Sequence, residues 1–133
     1  MRVLICGSRV WDDSFIIHTV LGGMLREAEL DSDGLVVIDG VARGADTIAG
    51  GWFGGAEDGI HAIHEHVRHE RYPADWDQHG KAAGPIRNAR MLKEGQPDFV
   101  IGFSDNLAES VGTRDMVTRA KKAGVPCYVV SRP

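Results

Sequence analysis

The chain has 133 residues, 43% of them hydrophobic and 26% charged, and a net charge of −4 from 15 Lys and Arg against 19 Asp and Glu. That is one ordinary globular domain, expected over residues 1–133 and able to bury roughly two-thirds of its unfolded surface. The acidic balance argues against non-specific duplex binding, which runs on cationic surface. No apolar run approaches the ~20 residues of a membrane helix, and Met1–Gly7 is too short and too soon interrupted to be a signal peptide, so a cytoplasmic protein without membrane contact is expected.

Arg2–Cys6 is a short apolar run ended by Gly7 and predicts a central parallel strand buried on both faces. Asp12-Asp13-Ser14 supplies helix-start residues. Ile17, Val20, Leu21, Met24, Leu25 and Ala28 follow at helical spacing until Asp31–Gly34 makes a turn. Leu35–Asp39 is a second strand, leading into Gly40-Val-Ala-Arg-Gly-Ala-Asp46. A helix from Asp46 through Trp52 is weakened by Gly50 and Gly51, and residues 59–66 carry no regular pattern. Val67–Tyr72 alternates and, being charged, reads as an edge strand. A polar loop with Asp75, Trp76 and Asp77 then leads to a helix entered at Gly84-Pro85, proline being preorganised for a first helical turn. Its spacing assigns Ile86, Ala89 and Leu92 to the core and Arg87, Asn88 and Met91 to an adjoining face. Asp98–Phe103 is a fourth strand, Gly112-Thr113 opens a helix carrying Val117, Ala120 and Lys121 to Gly124, and Pro126–Val130 is the last strand.

Strands alternating with helices predict an α/β, Rossmann-like three-layer sandwich with a parallel sheet of about five strands in the order 3-2-1-4-5. Cys6 and Cys127 then lie on strands separated by another, too far apart for a disulfide, and read as reduced core residues.

Ligands of such sheets sit beyond the carboxyl ends of the strands, where the order reverses. The segments landing there are Gly7-Ser8-Arg9, Gly40 with Arg43, Gly44 and Asp46, the helix entry at Arg87 and Asn88, and Phe103 to Thr113. Each combines glycines that let backbone approach a ligand with an arginine or a hydroxyl. Arg87 is expected in the first turn of its helix, beside free N–H groups. Ser8 and Thr113 can donate to a phosphate, as can the backbone at Gly112. Asp46 reads equally as a helix cap or as a ligand contact. Trp11, Trp52 and Trp76 are candidates to stack on a base, Trp76 being in the most polar setting. His61, His64, His66 and His69 invite a metal, but the run lacks the regular structure that would fix ligand geometry. Arg90 reads as an exposed helix arginine, and Arg114, Arg119, Lys121 and Lys122 as a solvated face.

Gly7-Ser-Arg9, Gly40-Val-Ala-Arg-Gly-Ala-Asp46, Tyr72-Pro-Ala-Asp-Trp76, Gly84-Pro-Ile-Arg-Asn-Ala-Arg-Met91 and Gly112-Thr-Arg-Asp115 together resemble the SLOG superfamily, which groups DprA/Smf proteins with the Lonely Guy enzymes. Within it the chain is most similar to the small stand-alone family of bacteria and phages. The resemblance implies a pocket for a nucleotide or nucleotide-derived ligand such as AMP or ADP-ribose. The resemblance implies the Lonely Guy chemistry, cleavage of an N-glycosidic or phosphoribosyl bond with an arginine in an Arg-Lys-x-x-Met helix and a glutamate in a Pro-Gly-Gly-x-Gly-Thr-x-x-Glu motif. Arg87 and Met91 match the first motif, and Gly112 and Thr113 the second, but the glutamate position is Met116 and the nearest carboxylates are Asp115 and Glu109. A thioether cannot stabilise an oxocarbenium ion or activate water. Binding or sensing is therefore the expected role, with hydrolysis through Arg87 and Asp115, or DprA-like single-strand binding, as alternatives. No cofactor or metal is expected, and a homo-oligomer is plausible for a domain this small.

Overall fold

The computed structural model describes residues 1–31, 34–41, 44–45 and 67–132. Arg43, Asp46, the expected helix at 46–52, Trp52, His61, His64 and His66 lie outside the described residues.

The apolar runs form strands β1 (Arg2–Gly7), β2 (Leu35–Asp39), β3 (Val67–Arg71), β4 (Phe99–Phe103) and β5 (Cys127–Val130). Every pairing is parallel, in the order β3-β2-β1-β4-β5, as the alternation of elements predicts. Between them lie α1 (Ser14–Asp31), the short α2 (Trp76–His79) with a 3-10 turn at Gly80–Ala82, α3 (Ala83–Gly95) and α4 (Val111–Lys122). No helix among the described residues is long and apolar enough to cross a membrane.

Successive strand side chains point to opposite faces, which splits the core in two. Val3, Ile5, Leu35, Val37, Ile101 and Phe103 face α1 and pack on Ile17 and Leu21. Leu4, Cys6, Val36, Ile38 and Val100 face α3 and α4 and pack on Met91, Met116 and Ala120. Each of these fully buried aliphatic side chains contributes about 1.5–3 kcal/mol through its removal from water. Cys6 and Cys127 are both unbridged thiols, and burial pushes the Cys127 thiol up.

Two expectations need correction. Trp11 is no ligand platform: it is buried in the α1-side cluster, 5.5 Å from the Phe103 ring, and its indole N–H donates to the Asp13 carbonyl. In α3 the inward face is shifted from the predicted one, although Leu92 still packs on the α3/α4-side cluster. Ala83, Gly84, Asn88, Met91 and Gly95 are buried, while Ile86 is 44% exposed and Leu92 only half-buried. Glycine decides this, because a Cβ at Gly95 would stand 3.2 Å from Ile38 Cδ1. The helix lies closest to the sheet along its smallest residues, and Asn88 follows them inward because it finds partners there.

The edge of the sheet holds a buried polar contact. Asp39 and His69 have almost no exposed side chain, and Asp39 Oδ2 meets His69 Nε2. The other oxygen, Oδ1, accepts from the Val41 N–H at 2.8 Å. His69 is thus a partner of Asp39, which its place in a charged edge strand does not suggest. Val41 is held at φ 60°, a left-handed conformation that strongly disfavours a β-branched residue. Removing one member of a buried pair strands the other, so His69→Ala should cost about 3 kcal/mol or more in urea unfolding. A loss under about 1 kcal/mol would mean that the pair is solvated once the strand is made.

Candidate functional site

A cleft of about 830 Å³ opens where the strand order reverses, between the loops after β1 and β4 and the starts of α3 and α4. Cys6, Gly7, Ser8, Arg9, Arg87, Asn88, Gly112, Thr113 and Asp115 all line it. Residues separated by a hundred positions in the chain thus share one wall. A second lobe of about 440 Å³ adjoins it and is lined by Arg9, Trp76 and Arg87, all shared with the first, and by Gly40, Val41, Pro73 and Ala74.

Arg87 does not sit in a first helical turn. α3 begins at Ala83 and is preceded by the 3-10 turn, so Arg87 belongs to its second turn. Its Nη1 donates to the Gly40 carbonyl and its Nε donates to Asn88 Oδ1 at 2.9 Å. Any side chain at position 40 would collide with this guanidinium. Gly40 thus leaves room for Arg87, and it also lines the second lobe. Asn88 passes the link on, donating from Nδ2 to the Gly112 carbonyl at 3.2 Å and to Asp115 Oδ2 at 3.0 Å. Asp115 also accepts from Arg119 Nε at 2.9 Å. A single buried amide thus ties together the β2 loop, α3 and α4.

The other glycines divide by cause. A Cβ at Gly7 would lie 2.5 Å from Ala45 Cβ and 2.7 Å from the Phe103 carbonyl oxygen, and Gly44, at φ 80°, packs against the Ser8 and Arg9 backbone. Both are demanded by the close approach of the β1 and β2 loops. The Ser8 hydroxyl accepts from the Val10 N–H at 3.3 Å, which shapes the loop carrying Arg9. Gly112, by contrast, faces open space. Gly102 brings α4 close to the sheet, since a Cβ there would stand 3.0 Å from Thr113 Cγ2. Ser110, at the N-cap of α4, makes no side-chain capping bond; its hydroxyl pairs with that of Ser104 at 2.7 Å. No helix carbonyl can satisfy the first-turn N–H groups of α4, and Val111, Gly112 and Thr113 of that turn line the cleft.

Charges at the cleft fall into two classes. Arg132 is held by its neighbours: Nε and Nη2 donate to Asp105 Oδ2 at 2.8 and 2.5 Å, Nη1 donates to Asp12 at 2.5 Å, and the guanidinium lies 4.7 Å over Trp11. These hydrogen bonds hold the Asp105 carboxyl below the usual carboxylate range and push the Arg132 guanidinium up. Arg9 lies 5.7 Å over the ring of Trp76, which is 48% exposed, and its N–H groups make no hydrogen bond among the described residues. Lys81 and Glu109 also line the cleft without an ion pair among the described residues. Met116, at the position of the Lonely Guy glutamate, is fully buried in the α3/α4-side cluster, while Asp115 one residue earlier reaches the cleft. Among the described residues no cluster of three His, Cys, Asp or Glu could hold a metal. Arg90 pairs with Glu94 at 2.8 Å and lies over Tyr72, away from the anion-facing groups.

Lys81, Asp105 and Arg132 carry no local motif, and only the fold brings them to the cleft. For Lys81 the sequence did hold a signal: it stands one helical turn before Gly84-Pro85.

Family comparison matches residues 1–79 to the YspA, cpYpsA-related SLOG family, called YAcAr, with which the Rossmann-like sheet order is consistent. The chain belongs to the YAcAr family of SLOG proteins. It is also 43% identical over 126 residues to the Gene 61 protein of Mycobacterium phage D29, covering 94% of this chain and 92% of that protein. No solved structure matches it. The matched residues carry β1, β2, β3 and the Arg9 and Trp76 wall of the cleft, and SLOG membership associates this YAcAr chain with nucleotide-related ligands in general terms.

The Asp105–Arg132 clasp gives a pH test. With its folded-state pKa depressed, Asp105 contributes stability in full above about pH 4, and that contribution is lost as the pH falls further. Asp105→Asn should therefore flatten the acid limb of a plot of Tm against pH. An acid limb identical to wild type would remove the clasp as its source.

Proposed function

We propose that the chain binds, in order to sense or sequester, a nucleotide or nucleotide-derived ligand in the cleft at the carboxyl ends of the strands. One observation carries this reading. An otherwise acidic chain sets Arg9 over Trp76, without a hydrogen bond among the described residues, in the same cleft as the N-terminus of α4, which has no side-chain cap. A planar guanidinium fork and first-turn N–H groups are complementary to phosphate oxygens. Trp76 offers a partly exposed ring, and the carboxylates of Glu109 and Asp115 can accept from sugar hydroxyls or an amino group. Arg87, with two of its donors committed to Gly40 and Asn88, mainly holds the wall in shape and adds positive potential.

The test is a thermal-shift panel of AMP, ADP, ATP, NAD, ADP-ribose and cyclic nucleotides on wild type and Arg9→Ala. A ligand at 100-fold its Kd adds about 2.7 kcal/mol, several degrees for a domain of this size. Losing one charge-assisted contact costs about 2 kcal/mol, so Arg9→Ala should weaken the responding compound roughly 30-fold. A panel without any shift would sink the reading, and an undiminished shift in Arg9→Ala would move the anion elsewhere.

Hydrolysis of an N-glycosidic bond is the second reading, favoured by the presence of Asp115 in the cleft. Its carboxylate is already engaged by Asn88 and Arg119, and the adjoining Met116 position is sealed in the core. Base release followed by chromatography decides between the two: turnover lost in Asp115→Ala establishes an enzyme, and none in wild type leaves binding alone.

A further inference from the structure

Helix α1 buries one face in the chain's own core and carries on the other a pattern that this packing does not use. Ile17 and Leu21 are fully buried against the sheet. On the far side of the helix Phe15, Thr19, Gly22 and Arg26 recur at steps of four, three and four residues, the spacing of a helix-pairing stripe. Phe15 is 77% exposed. Gly22 and Gly23 stand in the middle of the 18-residue helix, where only proline is less favourable than glycine. A Cβ at either would meet nothing within 4 Å, so no contact among the described residues requires a glycine there. The Thr19 hydroxyl donates to the Phe15 carbonyl at 2.7 Å, so its donor is already satisfied within the helix. Arg26 is exposed and makes no hydrogen bond or ion pair among the described residues.

From this we infer that the outer face of α1 docks a second copy of this chain, helix against antiparallel helix across a two-fold axis. Thr19, Gly22, Gly23 and Arg26 are residues i, i+3, i+4 and i+7, the four corners of a helical hole, and the two glycines give that hole its depth. Phe15 lies seven and eight positions before the glycines. An axis passing close to Thr19 therefore seats each Phe15 in the other copy's hole at once, as an isologous contact requires. The same register brings Arg26 opposite the partner's Asp12. The Asp12 side chain is 84% exposed, although Arg132 already donates to it. The face is thus complementary to itself in shape and in charge, which favours a copy of the chain over an unrelated helix. Because α1 covers the sheet face opposite α3 and α4, those two helices of the cleft stay outside the contact. The inference does not depend on the nucleotide reading.

The experiment is sedimentation velocity on the full chain over a dilution series from roughly 1 to 300 μM, the range expected of a small interface. Wild type is compared with Phe15→Ala, Arg26→Glu and a chain carrying both Gly22→Ala and Gly23→Ala. Wild type should pass from one chain to two across the series, and each variant should weaken dimerisation at least about tenfold. The glycine variant separates an interface from a structural role, because alanine strengthens the helix while it fills the hole. Its Tm at the lowest concentration should rise by roughly a few degrees as its dimer weakens. A fall in that Tm would mean that the glycines serve the fold itself, and would overturn the inference. A wild type that stays monomeric at the highest concentration would overturn it too, leaving the face to a helix of another protein. So would a dimer that survives all of these changes, which places the interface elsewhere. Phe15 and Arg26 are exposed, so their variants carry the test even if the glycine variant fails to fold.

Discussion

The cleft depends on the placement of one buried amide. Asn88 accepts from Arg87 through Oδ1 and donates to Gly112 and Asp115 through Nδ2. A buried polar group without partners costs about 1–3 kcal/mol, so these bonds hold each other in register: losing any one leaves the rest exposed to that penalty. Through Arg87 the network reaches the Gly40 carbonyl, and through Asp115 it reaches Arg119 on α4. The relative position of three walls is thereby set by polar geometry as well as by apolar burial.

The placement also explains how the arginines divide their work. Arg87 and Arg132 both line the cleft but are committed to neighbours, one to a carbonyl and an amide, the other to two carboxylates. Arg9 lies over the Trp76 ring, a cation–π contact that leaves its N–H groups without a hydrogen bond among the described residues. A cation already hydrogen-bonded to protein must give up those bonds to take a ligand, whereas a stacked one pays only its remaining desolvation. The net acidity of the chain is consistent with this. Sparse, oriented positive charge in a concave site concentrates the field where it is needed, while the acidic remainder discourages unspecific polyanion binding.

The two lobes extend the same logic to the sheet edge. Asp39 is at once the last residue of β2, the partner of His69, and the acceptor that holds the Val41 backbone. A buried carboxylate used in this way turns the end of a strand into a rigid corner. The corner borders the smaller lobe through Val41.

How much of this was legible follows from the range of each interaction. The elements and the order β3-β2-β1-β4-β5 could be read because strand runs, helix-start residues and glycines are local signals, and right-handed crossovers leave few ways to connect them. Gly7-Ser8-Arg9, Arg87-Asn88 and Gly112-Thr113 could be placed at the cleft for the same reason: each sits at the end of an element. The inward face of α3 was misread because hydrophobicity suggested Ile86, whereas close approach selected Gly84, Asn88, Met91 and Gly95. Trp11, His69 and Arg132 were beyond local reading altogether, since their partners Phe103, Asp39 and Asp105 lie 92, 30 and 27 positions away. The sequence by itself determined the layers, the sheet and the edge at which a ligand can meet backbone. The tertiary structure alone distinguishes Arg9, without a hydrogen bond among the described residues, from Arg87 and Arg132, because a side chain's remaining valence depends on contacts made by residues remote in the chain.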